Sequence, residues 1–151
     1  MINRADRDQL ALLLRRYVAG RITNDELADA PARSQDPAIR PIYEFAWQLY
    51  DDVSNHRAEG RHSLSPEARR MVARWILFLH SDLEYRWPRF SFLQIYNLPL
   101  NLLTLGWWER RKACRFEAFQ RAGHFKVWPF VTSEEFKSAL RNPRFLRGRA
   151  A

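Results

Sequence analysis

Apolar residues recur through residues 64–88 in the pattern of a helix that must find neighbours on most of its sides. Ala68, Met71, Val72, Trp75, Ile76, Leu79 and Leu83 keep the i, i+3, i+4 spacing, and Leu77 and Phe78 fill the remaining directions. Ser65-Pro66-Glu67 supplies a start, because a serine oxygen can accept an orphan backbone N–H and proline at the first helical position has no N–H to lose. Trp87-Pro88 supplies an end. The pattern predicts a central buried helix over about residues 65–86.

Shorter amphipathic stretches precede it. Leu10, Leu13, Leu14, Tyr17 and Val18 form one stripe, with Asp6 as the expected N-cap and Gly20 as the stop. Thr23 and Glu26 have the spacing of a capping box, predicting a short helix to about Ala30. Asp36-Pro37 opens another helix, carried by Ile39, Ile42, Tyr43, Ala46, Leu49, Tyr50 and Val53. The polar connection over residues 55–62 predicts an antiparallel hairpin between this helix and the central one.

Beyond the central helix the pattern changes. Residues 90–106 are apolar but interrupted by Gln94, Asn97, Pro99, Asn101 and Thr104, which predicts an irregular segment rather than a membrane span. Trp107 to Ala122 reads as a charged helix stopped by Gly123. Residues 127–131, around Trp128-Pro129, are expected to be a short extended piece. Thr132 and Glu135 form a second capping box, with Phe136 and Leu140 as an i, i+4 apolar pair and Asn142-Pro143 as the end. The expected fold is mainly α: a single compact helical domain over residues 1–151, with a mobile tail at 144–151.

Composition narrows the function classes. The 151 residues are 46% hydrophobic, enough for a core. The charged N-terminus lacks the apolar region of a secretory signal, and a lone cysteine, Cys114, can form no internal disulfide; both point to the cytoplasm. The net charge of +8 is one-sided. Residues 1–83 carry 12 Lys/Arg against 12 Asp/Glu, and residues 84–151 carry 13 against 5, together with 14 of the 21 aromatic residues. A basic, aromatic-rich half suits binding, although aromatics also build small cores.

Candidate chemistry falls in two places. At the end of the central helix, His80, Asp82 and Glu84 could form an acid/base group against Tyr85; the structural alternative is a polar network closing the helix, with Asp82 paired to Arg86. Asp52 with His56, and His80 with Glu84, are helix-spaced pairs of metal-ligand type. In the expected hairpin they stand on the order of 18 Å apart, far beyond ligand distance, so no metal and no cofactor is expected. No Gly-rich phosphate loop or His-Glu-x-x-His motif is present. The second place is Trp107, Trp108, Arg110, Arg111, Lys112 and Arg115, an aromatic pair followed by cations. It reads as a surface for an acidic protein partner, in an adaptor-like or antidote-like binding module without catalysis. Nonspecific nucleic-acid binding is the alternative, followed by association with an anionic membrane surface and by an enzyme using His80, Asp82 or Glu84.

The segments VARWILFLHSDLEYRWP and LNLLTLGWWERR resemble an uncharacterised family of small bacterial helical proteins, over most of the chain from Asp51-Asp52 to VWPF. The resemblance implies one compact domain and carries no activity, cofactor or catalytic residue.

Overall fold

A computed structural model describes residues 1–28, 34–49, 54–88 and 107–143, which are mainly helical and contain no strand. Six α-helices lie among them: α1 Arg4–Val18, α2 Asn24–Ala28, α3 Ile39–Ala46, α4 Pro66–His80, α5 Trp107–Arg121 and α6 Ser133–Arg141. The expected irregular segment at 90–106 and the tail at 144–151 lie outside the described residues. No helix among the described residues is long and apolar enough to cross a membrane.

Helix α4 is the centre, as its apolar positions require. Val72, Trp75, Leu77, Phe78 and Leu79 are buried, and Ser65 caps the helix by accepting from the Ala68 amide at 3.1 Å. Its principal neighbour is α1, whose buried face is Arg7, Leu10, Ala11, Leu14 and Tyr17. The two run antiparallel, since the start of α1 meets residues 79–83 and Gly20 at its far end meets Glu59. The hairpin expected between α3 and α4 is thus not the main pairing. The reason lies in the connector: buried Asn24 donates its backbone N–H to His56 O at 3.0 Å and accepts from His56 N at 2.7 Å, drawing residues 54–57 toward the start of α2. Helix α3 itself ends at Ala46 in a 3-10 turn, Trp47–Leu49, and its Phe45 ring lies 6.3 Å from Trp75.

Three other boundaries differ from expectation. The N-cap of α1 is Asn3, with Asp6 returning the bond: Asn3 Nδ2 donates to Asp6 Oδ2 at 2.7 Å. Helix α4 stops at His80 rather than near 86, because Ser81 turns the chain extended and both its amide and hydroxyl donate to Phe78 O. Residues 124–131 form a closed loop rather than an extended piece, held by Val127 N to His124 O at 2.9 Å and His124 N to Val131 O at 2.8 Å. Both capping boxes are present, Thr23 with Glu26 and Thr132 with Glu135.

The 124–131 loop explains where many of the C-terminal aromatics go. Trp128 stands edge-on to Trp75 at 6.0 Å, lies 4.2 Å from Phe45 and donates Nε1–H to the Tyr85 hydroxyl; Phe130 meets Phe78 at 5.2 Å. Trp87 donates to Pro129 O at 2.9 Å and packs against Phe119 of α5 at 4.9 Å. These rings are core, and burying each removes roughly 150–250 Å² from water. Of the pair on α6, Phe136 packs on Phe130, whereas Leu140 is 54% exposed.

Gly20 closes α1 with φ +67°, and a Cβ there would stand 2.2 Å from Glu59 Oε1. Gly20→Ala is expected to lower stability by about 1–3 kcal/mol, the cost of a left-handed non-glycine residue. Urea unfolding should show a lower midpoint with an unchanged slope.

Candidate functional site

Two regions carry the residues singled out by the sequence, and they differ in kind. The first lies beyond the C-terminal end of α4. A helix leaves its last four carbonyls without intrahelical donors and concentrates negative partial charge there. Here α1 supplies a donor to one of them and to two carbonyls just beyond the helix: Arg4 bonds Leu79 O and, at 2.9 Å, Ser81 O, while Arg7 bonds Ser81 O at 3.1 Å and Leu83 O at 2.9 Å. Arg4 also pairs with Asp82 at 3.0 Å, and Arg86 pairs with Glu135 of α6. Asp82 therefore does not take the Arg86 partner expected from helical spacing, because residues 81–88 are not helical.

An open cleft of about 650 Å³ runs between this end of α4 and α6. One wall is Leu77, His80, Ser81, Asp82 and Leu83, and the other is Glu134, Glu135, Ser138, Ala139 and Asn142. Of the acid/base candidates, His80 and Asp82 line it, whereas Glu84 is exposed and does not. The His80 side chain is 17% exposed, with Nδ1 3.5 Å from Asp8 Oδ1 and Nε2 buried. Burial pushes its pKa below the ordinary imidazole value; Asp8 opposes this, and Arg4 and Arg15 reinforce it. A general base must bring a ring nitrogen within hydrogen-bond reach of substrate. With Nε2 covered and Nδ1 turned to Asp8, His80 builds the wall of the cleft, while Tyr85 and Trp87 are buried in the core.

Asp52 lies outside the described residues, while His56 faces Ser54 O at 2.9 Å and stacks on His62 at 4.2 Å. Among the described residues no three His, Cys, Asp or Glu side chains are placed to hold an ion.

The second region is α5. Arg110, Arg111 and Arg115 are exposed, as are Ala113, Cys114, Ala118 and Arg121; Phe119 is the residue that buries the helix's described side. Glu117 pairs with Arg121 at 3.1 Å. Trp107 and Trp108 begin the helix, and their side chains, with that of Lys112, lie outside the description. At the far end, Phe125 is 41% exposed yet anchored against Phe119 and Trp87 at 6.0 and 6.3 Å.

Sequence reasoning missed the cleft and the arginines that frame it. A signal existed for Arg7: it lies three residues before Leu10 and seven before Leu14, on the apolar stripe of α1. No protein-family model, curated protein or solved structure matches the chain.

His80 yields a pH test. Its folded pKa is depressed, so its contribution is fully present above the unfolded value near 6.5 and is lost as pH falls through the folded value. Stability should decline below about pH 6.5, and His80→Gln should flatten that part of the profile, leaving the carboxylate region below about pH 5 unchanged. Urea midpoints of the two proteins between pH 5 and 8 check this.

Proposed function

We propose that the protein is a non-catalytic binding module whose α5 surface engages an acidic protein partner. The supporting observation is the row of exposed arginines on that helix, Arg110, Arg111, Arg115 and Arg121, with small residues exposed between them. Arginine presents a planar fork of donors that matches a carboxylate, and small intervening residues let a partner's backbone come close. Phe125 beside the helix end offers a rigid aromatic contact of the type that dominates interface energies. Trp107 and Trp108 enter the proposal as anchors on the strength of their position in the sequence. An adaptor or an antidote-like cover for another protein would both use such a surface.

The test compares ligands at equal charge. The purified protein is titrated with a glutamate-rich peptide and with random duplex DNA across a salt series. Binding of the peptide should outlast DNA binding at physiological salt, and charge reversal at Arg110, Arg111 and Arg115 together should weaken it by about tenfold or more. Trp107→Ala and Trp108→Ala assay the anchors. Tighter DNA binding with a steep log–log salt slope, abolished by the same reversal, would replace this reading with nucleic-acid association.

A further inference from the structure

We infer that the cleft between the end of α4 and α6 is a second binding site, which receives a short extended peptide bearing arginine beside an apolar side chain. The first argument is charge. The chain carries a net +8, yet among the described residues the cleft is lined by three carboxylates, Asp82, Glu134 and Glu135, and by no lysine or arginine. Arg4 and Arg86 pair with Asp82 and Glu135 and offset their charge, so the charge argument rests on Glu134. Glu134 is exposed and joins no salt bridge among the described residues, which leaves its carboxylate to meet a guanidinium.

The second argument is shape and composition. Leu77, Leu83 and Ala139 give the cleft an apolar floor, and Ser138 and Asn142 give it hydrogen-bonding groups on the α6 side. Its volume of about 650 Å³ lies within the range of ligand sites and is much larger than a single amine needs. Along α6 the lining runs from Glu134 to Asn142, on the order of 12 Å at the helical rise. Four residues of extended chain span roughly 13 Å. Alternating side chains of such a segment would set an arginine against Glu134 and an apolar group on the floor. His80 adds no positive charge to the wall at neutral pH, since burial keeps it in the neutral form.

The experiment uses the full chain, labelled with nitrogen-15, and as probe the blocked tetrapeptide Arg-Ile-Val-Arg, which the chain does not itself contain. Amide shifts are followed by NMR to millimolar peptide. The expected result is saturable movement confined to residues 77–83 and 134–142, with affinity reduced about tenfold by Glu134→Lys. Ser138→Trp, which fills the cleft without touching a carboxylate, should abolish binding while the spectrum stays dispersed. Absence of saturable shifts overturns the proposal. So does equal affinity for a tetrapeptide with norleucine in place of both arginines, or for agmatine alone, which would mark a site for apolar peptides or for small amines.

Discussion

The structure depends on one buried ion pair, Arg7 with Asp36. Both side chains are fully buried; Nε meets one carboxylate oxygen at 2.6 Å and Nη2 the other at 3.1 Å. Each group makes further bonds. Arg7 Nη1 takes the carbonyls of Ser81 and Leu83, and its guanidinium lies 5.3 Å from the Phe78 ring centroid. Asp36 accepts from the backbone of Asn3 and of Ala38, each at 3.0 Å. One pair thereby joins the start of α1, the approach to α3 and the exit from α4. Desolvation opposes the charged carboxylate, but the Arg7 bonds and the two amides outweigh it and hold the Asp36 pKa below its ordinary value.

Such a pair need not add net stability over an apolar substitute, because taking two charges out of water costs several kcal/mol per ion. Its effect here is positional. Leaving either charge buried alone is costly, so α1 can pack on α4 only in the register that satisfies both. That register places Arg4 beside Asp82 and ends α4 at His80, and the extended stretch after His80 is what forms one wall of the cleft. The C-terminal half then divides its resources: Tyr85, Trp87, Phe119, Trp128 and Phe130 go to the core, and the arginines of α5 go to the surface. The molecule presents a row of exposed arginines on α5 and, apart from it, a cleft in which Glu134 is the carboxylate without an arginine partner among the described residues.

Helical content, the central position of α4 and both capping boxes were legible because they rest on local spacing: apolar period, cap residue and glutamate three positions on. What was not legible rests on pairs distant in sequence. Helix α4 stops at His80, where Ser81 turns back on Phe78 O, and the extended stretch beyond is held by arginines more than seventy residues earlier, which no local pattern reports. The hairpin expected from a short polar connector failed because buried Asn24 holds that connector elsewhere. The extended reading of residues 127–131 followed from the restriction before proline, which Trp128 alone obeys, while the neighbouring residues close a loop. At the candidate sites, the exposure of Arg110, Arg111 and Arg115 follows from charge, whereas Glu134, Ser138 and Asn142 acquire meaning only through their position opposite residues 77–83.

A double-mutant cycle on Arg7 and Asp36 tests the central claim most directly. Urea unfolding would be measured for Arg7→Met, Asp36→Leu and the double variant. If the pair sets the register, each single change costs about 3–5 kcal/mol, and the double variant costs far less than the sum. Single changes that cost under about 1 kcal/mol, or that add in the double variant, would contradict it.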